Sequence, residues 1–174
     1  YKNFENLVTA YANSERLQKD FKILVFGGEK PSICGKELIL KKKLPINSFK
    51  FVNGTNKDLE YFYKNVRAFI YTSTYEGFGI PLVEAMRSGC PIITSNGGAL
   101  EEVGGSSLTY FDPFNVDEIQ KKIEDLVYSD NKLIEATIYG LKRCDNFSWA
   151  NCATKTLKVY EELYNKSINF ISSL

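Results

Sequence analysis

The feature that most constrains the fold of this chain is the regular alternation of short apolar runs with longer stretches of helical periodicity. Apolar runs predict buried strands at residues 21–26, 49–52, 66–71 and 91–94, and an edge strand at residues 107–110. Apolar residues at helical spacing predict helices at residues 3–12, 32–44, 57–65, 81–88, 100–103, 116–128, 131–145 and 149–165. Strands that alternate with helices favour an α/β fold with a doubly wound parallel sheet, here with extra helices at the C-terminal end.

Composition sets limits on size and partners. The 174 residues are enough for one domain with a sizeable core, so we assign residues 1–174 to a single domain. Hydrophobic residues make up 44% of the chain, which predicts a folded core rather than disorder. The 22 basic and 21 acidic residues nearly cancel to a net charge of +1, so the charge balance gives no reason to expect nucleic-acid binding.

The ligand-forming side chains do not indicate a metal site. The chain has no histidine, and its four cysteines, Cys34, Cys90, Cys144 and Cys152, form no Cys-x-x-Cys pair. We therefore expect free thiols in a reducing compartment, with Cys90 buried, and a cytoplasmic location. No apolar run has transmembrane length and no signal peptide is evident, which leaves open a peripheral membrane association of the full-length protein. The chain opens on Tyr1 rather than Met, so we expect it to be a piece of a longer protein.

Residues 75–85, which read Tyr-Glu-Gly-Phe-Gly-Ile-Pro-Leu-Val-Glu-Ala, are the most informative segment for function. Glu76 and Glu84 flank a glycine-rich turn that leads into a helix, and Pro81 suits the first helical position. The first-turn N–H groups, including those of Leu82 and Val83, are expected to lack helical partners and to form an anion site together with the helix dipole. In a ligand that carries a ribose, a phosphate and a sugar, Glu84 is placed to reach the ribose. Glu76 lies before the turn, nearer the sugar.

The glycines of this turn favour a ligand close to the backbone. Gly77 and Gly79 carry no Cβ, so a phosphate can approach the main chain there. A ligand whose phosphate has hydroxyl-bearing groups on both sides matches a nucleotide sugar. Two simpler interpretations stay open, because a first-turn glutamate often serves only the helix dipole, and glycine-rich turns occur wherever an α/β chain reverses.

The chain resembles the C-terminal domain of the retaining GT-B glycosyltransferases of the group 1, or family 4, type. That family has a Glu-x7-Glu motif written E-G-F-G-x-P-x-x-E-A, and residues 76–85 match it without a gap. Further segments resemble the family in order along almost the whole chain, at residues 1–4, 89–93, 95–104, 111–113 and 147–149. The resemblance implies a Rossmann-like half of a GT-B fold.

The resemblance also implies roles for individual residues. Glu84 would accept hydrogen bonds from ribose hydroxyls, Glu76 would hold the donor sugar near its reacting carbon, and Lys2 would contact the diphosphate. Glu76 and Lys2 are therefore the catalytic candidates. The other donor-binding candidates lie in the turn and the helix start: Gly77, Phe78, Gly79, Ile80, Pro81 and Leu82. Among them, backbone amides would meet phosphates and sugar hydroxyls at Phe78, Gly79, Ile80 and Leu82.

Two further groups of residues have weaker assignments. Asn53 and Gly54 are candidates for backbone contacts to the base, although a plain turn between strand and helix is the favoured interpretation. Four tyrosines are interpreted as packing residues rather than as a base-stacking platform: Tyr61, Tyr63, Tyr71 and Tyr75.

These expectations combine into one leading function. The chain is predicted to be the donor-binding domain of a retaining, metal-independent glycosyltransferase that uses a nucleotide-diphosphate sugar and no cofactor. A glycan or lipid-linked acceptor would bind an N-terminal domain outside residues 1–174, so the isolated chain is expected to be inactive. The alternatives are a non-catalytic nucleotide-binding or interaction domain of the same fold, and a GT-B enzyme of other chemistry such as an epimerase or a phosphorylase.

Overall fold

The computed structural model describes residues 1–27, 33–45, 47–106 and 108–172. The helices in this part of the chain are α1 (Phe4–Ala12), α2 (Glu15–Asp20), α3 (Ile33–Lys41), α4 (Asn56–Asn65), α5 (Ile80–Arg87), α6 (Leu100–Gly104), α7 (Val116–Val127), α8 (Asp130–Cys144) and α9 (Trp149–Ser172). The strands are β1 (Ile23–Phe26), β2 (Phe49–Val52), β3 (Phe69–Tyr71), β4 (Ile92–Ser95) and β5 (Thr109–Phe111). The predicted alternation of strands and helices is therefore confirmed.

All strand pairings are parallel, as predicted. β1 pairs with β2, with Ile23 opposite Phe49. β4 lies between β3 and β5, so that Ile93 faces Ile70 on one side and Thr109 on the other. The strands form a sheet of two and a sheet of three rather than one continuous sheet.

Helices cover both faces of the strands. Ile92 and Ile93 are adjacent in β4, and their side chains point to opposite faces because strand residues alternate. Ile93 belongs to a core cluster with residues of α1 and α7, whereas Ile92 packs in a second cluster with residues of α5 and α6. This arrangement is the doubly wound α/β architecture.

Local capping explains several helix boundaries. The Thr55 side chain accepts a hydrogen bond from the Asp58 N–H while the Asp58 side chain accepts from Thr55, which forms a capping box at the start of α4. α3 ends at Lys41, earlier than the predicted residue 44. Lys43 adopts a left-handed conformation, and its N–H and that of Leu44 donate to carbonyls of the last helical turn, so the chain leaves the helix before Pro45.

Two other elements differ from the prediction. α2 was not predicted, because its sequence Glu-Arg-Leu-Gln-Lys-Asp is polar and only Leu17 is buried. α9 continues to Ser172, beyond the predicted end at residue 165. The predicted starts of a helix at residue 32 and of a strand at residue 107 lie outside the described residues, as do Gly28 and the last two residues.

Candidate active site

The N-terminal residues are fixed beside the carboxyl end of β3. The Thr74 N–H donates to the Tyr1 carbonyl at 2.8 Å, and the Thr72 hydroxyl donates to the Lys2 carbonyl at 2.7 Å. These bonds join residues about 70 positions apart in the sequence. They hold the backbone of Lys2 next to the turn that follows β3.

Lys2, Tyr71 and Glu76 form a hydrogen-bonded cluster at this end of the strand. The Lys2 ammonium lies 2.7 Å from Glu76 Oε1, and the Tyr71 hydroxyl donates to the same oxygen at 2.7 Å. Lys2 also donates to the Tyr71 oxygen at 3.3 Å. The structure therefore brings together Lys2 and Glu76, the two catalytic candidates.

The cluster has a defined charge state at neutral pH. Burial alone would raise the pKa of Glu76, but hydrogen bonds from Lys2 and Tyr71 outweigh it and keep that pKa below its ordinary value. Burial alone would lower the pKa of Lys2, and here the bonds to Glu76 and Tyr71 reverse the effect and raise it. Burial and the bond to Glu76 raise the pKa of Tyr71. Lys2 is thus a cation, Glu76 an anion and Tyr71 a neutral donor.

A second loop supports the turn that carries Glu76. The Ala99 N–H donates to the Glu76 carbonyl at 2.9 Å. Gly98 has a φ of 66°, and a Cβ there would lie 2.3 Å from the Glu76 carbonyl oxygen. Only glycine allows the two backbones to come this close, so Gly98 fixes the position of the Glu76 turn.

Helix α5 begins one residue earlier than predicted, which changes the assignment of its free amides. Gly79 precedes the helix in a left-handed conformation, Ile80 is its first residue and Pro81 its second. The Leu82 N–H donates to the Gly79 carbonyl at 2.9 Å. The expectation that the Leu82 amide lacks a partner is therefore wrong, because the tight first turn already uses it.

Glu84 lies in α5 and differs from Glu76 in its surroundings. Its side chain is exposed, and among the described residues none donates a hydrogen bond or an ion pair to its carboxylate. Partial desolvation raises its pKa. Glu84 lines the same cavity as Lys2, Tyr71 and Pro81, so its acceptor oxygens are available to a ligand in that space.

Gly77 is exposed, whereas Gly79 is buried against the Leu100 side chain, so the expected close approach of a ligand to the backbone at Gly79 is wrong. Phe78 and Ile80 are exposed at 45% and 52%, and the Phe78 ring makes an edge contact with Phe147 at 5.8 Å between centroids. No described atom lies within 4 Å of a Cβ built at Gly77, so a ligand can approach the backbone there. Phe78 therefore packs on one side and leaves its other side free.

Asn53 and Gly54 are exposed at the end of β2. They do not line the cavity that contains Lys2, Tyr71 and Glu84. The adjacent Thr55 caps α4, in keeping with the plain turn as the alternative interpretation. Contact of Asn53 and Gly54 with a base stays a prediction.

Tyr71 is the site residue that the sequence interpretation missed, because it was grouped with the packing tyrosines. Its hydroxyl binds Glu76, which packing alone does not explain. A partial signal was present in the sequence: Tyr71 ends a strand five residues before Glu76, and a partly buried tyrosine hydroxyl usually needs a partner.

The described residues contain no group of three His, Cys, Asp or Glu side chains that is suited to a metal ion. Within the same residues, no helix combines the length and the apolar character needed to cross a membrane.

Comparisons with known proteins show the family to which the chain belongs. Residues 1–143 match the family model described as glycosyl transferases group 1. Over 108 residues the chain is 42% identical to the O-antigen chain mannosyltransferase B of Escherichia coli. The aligned segment covers 62% of this chain and 28% of that protein. The serotype-specific mannosyltransferase WbdA of Escherichia coli is 29% identical over 170 residues, which covers 95% of this chain and 21% of that protein.

A solved structure shows the same fold. Sucrose-phosphate synthase from Thermosynechococcus elongatus superposes with a TM-score of 0.79 at 23% sequence identity, covering 95% of this chain and 43% of that one. The parallel strands with helices on both faces are thus the Rossmann-like half of a GT-B fold. The chain belongs to the group 1 glycosyl transferases. It spans between about a fifth and three tenths of the length of the two Escherichia coli mannosyltransferases.

Proposed function

We propose that this chain is the donor-binding domain of a retaining, metal-independent glycosyltransferase that uses a nucleotide-diphosphate sugar. The observation that carries the proposal is the cluster of Lys2, Tyr71 and Glu76, of which Lys2 and Tyr71 line the same cavity as Glu84. Membership of the group 1 glycosyl transferases supports the reaction class. The names of the two Escherichia coli relatives make a mannosyl nucleotide the first donor to test.

The charges of the cluster suit the departure of a diphosphate. In the proposed reaction the bond from the anomeric carbon to the diphosphate oxygen breaks, and both electrons stay with the diphosphate. The acceptor oxygen bonds to the same face of the sugar, and its proton passes to the departing phosphate oxygen. The Lys2 ammonium and the N-terminus of α5 stabilise the negative charge that develops on the leaving group.

Glu76 and Glu84 have different proposed roles because their environments differ. Glu76 is ionised and paired with Lys2, so a diphosphate that attracts Lys2 leaves the Glu76 carboxylate to bind the donor sugar where positive charge develops. Glu84 has no donor among the described side chains and accepts hydrogen bonds from ribose hydroxyls. The ribose does not change during the reaction, so its contact stabilises the ground state and the transition state equally.

The acceptor is expected to bind outside residues 1–174. We propose that a glycan or lipid-linked acceptor binds an N-terminal domain of a longer, cytoplasmic enzyme that associates with the membrane only peripherally. The relatives of known length are much longer than the matched segment, which supports a second domain.

Kinetics of the full-length enzyme test the roles of the two glutamates. We expect Glu76→Gln to lower kcat more than it raises the donor KM, because it removes a contact that strengthens in the transition state. We expect Glu84→Gln to raise the donor KM by about tenfold to a hundredfold with little change in kcat, which is the range for a lost hydrogen bond to a charged group. Glu135→Gln on α8 is the matched control, since Glu135 is exposed and outside the cavity.

Three results would contradict the proposal. Reversed effects of the two glutamate variants would mean that the sugar and ribose ends are exchanged. Loss of transfer on chelation, with recovery on adding Mg²⁺ or Mn²⁺, would show a metal-dependent enzyme. A product with inverted anomeric configuration by NMR would exclude retention.

A further inference from the structure

The serine three residues before Glu76 carries a buried hydroxyl group without a partner. Ser73 is 1% exposed and lies between the end of β3 and the turn that carries Glu76. Among the described residues, its Oγ is the one buried side-chain oxygen or nitrogen that takes part in no hydrogen bond. Buried polar groups in native proteins are nearly always bonded, because an unpaired one costs free energy. The Ser73 hydroxyl is thus an exception within this part of the chain.

Contacts with the neighbouring strand fix the backbone of Ser73. The hydroxyl of Ser95, which is buried at the end of β4, donates to the Ser73 carbonyl. Gly97 follows β4, and a Cβ built there would overlap the Thr74 carbonyl and approach the Ser73 carbonyl oxygen at 3.3 Å. Because the main chain is held on this side, the Ser73 hydroxyl moves mainly by rotation about χ1. Its oxygen is therefore confined to a few positions around a fixed Cα.

Glu76 offers the acceptor that Ser73 lacks. Lys2 and Tyr71 both donate to Oε1 of its carboxylate, each at 2.7 Å. No hydrogen bond from a described residue ends on Oε2. The Ser73 hydroxyl lies close enough to this carboxylate to help lower its pKa, but not in hydrogen-bond geometry. An unused donor and an unused acceptor thus lie side by side.

Binding of a diphosphate would change the partners of Glu76. The Lys2 side chain is 55% exposed, so its ammonium is able to turn from Glu76 toward a phosphate. A partly buried carboxylate that loses a cationic partner is less stable as an anion unless another donor replaces that partner. Tyr71 already donates to Glu76, which leaves Ser73 as the unused donor among the described groups recorded beside this carboxylate.

We propose that Ser73 is a positioning residue that donates to the Glu76 carboxylate when Lys2 turns to the diphosphate of the donor. The bond from Ser73 replaces the bond from Lys2 and no proton is transferred, so Glu76 remains ionised beside the donor sugar. Ser73 does not touch the donor, because its oxygen is buried. This inference rests on the proposed roles of Lys2 and Glu76 in donor binding.

Titration of the Glu76 carboxyl group in the full-length protein tests this exchange without a donor. Lys2→Met removes the ammonium and so imitates its departure. We expect Ser73→Ala to raise the pKa of Glu76 more in the Lys2→Met background than in the wild type, because only there does the hydroxyl bond to the carboxylate. The pKa is followed by ¹³C NMR with label at glutamate Cδ, and Glu76→Gln identifies the signal. Equal shifts in both backgrounds, or no shift in either, overturn the proposal.

Stability distinguishes an unused hydroxyl from one that already has a partner. Ser73→Ala should leave the melting temperature of the full-length protein unchanged or higher, because it removes an unpaired buried polar group. Ser95→Ala is the matched control, since it deletes a buried hydroxyl that does form a bond, and it should lower the melting temperature. A loss in Ser73→Ala as large as in Ser95→Ala would show that the Ser73 oxygen is already bonded, which overturns the proposal.

Kinetics with GDP-mannose separate this inference from the proposed function. Ser73→Ala should lower kcat/KM for the donor by about tenfold to a hundredfold, the range for a lost hydrogen bond to a charged group, because the bond forms only once the donor is bound. Ser95→Ala retains the Ser73 hydroxyl and should lower kcat/KM less. A wild-type kcat/KM in Ser73→Ala overturns the inference. If the wild-type enzyme transfers no mannose, the donor assignment fails instead, and the carboxyl titration still decides the role of Ser73.

Discussion

Replacing Tyr71 by phenylalanine tests whether this hydroxyl sets the charge state of Glu76. The substitution keeps the ring, which contacts Phe69 at 5.6 Å between centroids. It removes the hydroxyl, which donates to the Glu76 carboxylate at 2.7 Å and accepts a longer bond from Lys2 at 3.3 Å. Because the Tyr71 bond stabilises the charged form of Glu76, its loss raises the depressed pKa of that carboxyl group toward the ordinary value.

The structure sets the size of the effect. A hydrogen bond to a charged group contributes about 1.5–3 kcal/mol. The lower end applies here, since the Lys2 ammonium remains 2.7 Å from the Glu76 carboxylate and still stabilises its charge. The pKa of Glu76 should therefore rise while the ion pair with Lys2 persists.

The assay is the pH dependence of kcat/KM for the donor in the full-length enzyme. If ionised Glu76 is required, the acid limb of the profile moves to higher pH. Tyr110→Phe is the matched control. Tyr110 lies in β5, and its hydroxyl donates to the Gly105 carbonyl rather than to Glu76. The control should leave the acid limb in place.

The same variant should change stability in a pH-dependent way. A carboxyl group whose pKa is lower in the folded state contributes stability above its unfolded pKa, and this is lost as the pH falls through the folded pKa. Tyr71→Phe should therefore be less stable than the wild type at neutral pH, and the difference should shrink in acid. An acid limb that stays fixed or moves to lower pH would refute the assignment of Glu76 as the titrating group.

Three further outcomes are expected. Gly98→Ala should lower the free energy of unfolding by at least about 2 kcal/mol in denaturant titrations, because its Cβ meets the Glu76 carbonyl; Gly89→Ala, with a similar φ but ordinary contacts of 3.7 Å to the Thr137 side chain, should cost less. Exposed Cys152 should react rapidly with a thiol reagent, whereas Cys90, whose pKa burial raises to about 12, should react only on unfolding; equal rates would contradict this packing. The isolated chain should form no glycoside product from sugar nucleotides and glycan acceptors, and saturable transfer would show that the domain assignment is wrong.

Local patterns were sufficient to predict most elements of the fold. β2 was predicted with its observed bounds, Phe49–Val52, because an apolar run closed by a turn signal depends on few distant contacts. α2 could not be predicted in this way, since a six-residue polar helix has little propensity of its own. It is stabilised by the Ser14 cap and by the burial of Leu17 in the core, and the second of these depends on tertiary contacts.

The candidate site also combines features that the sequence predicts with features that depend on tertiary contacts. The spacing of Glu76 and Glu84 around a glycine-rich turn is a property of adjacent residues, so the sequence alone placed both carboxylates at one helix start. The pairing of Lys2 with Glu76 joins residues 74 positions apart, and the hydrogen bond from Tyr71 depends on the end of β3 lying beside the chain start.

The sequence by itself therefore determined the order of strands and helices, the parallel α/β class and the position of the glycine-rich turn, because each depends on residues close together in the chain. Only the tertiary structure decided the charge state of Glu76, the close approach of Gly98 and the cavity shared by Lys2 and Glu84. Each of these arises where distant segments meet, and burial and hydrogen bonding between them act over distances in space that residue spacing does not record.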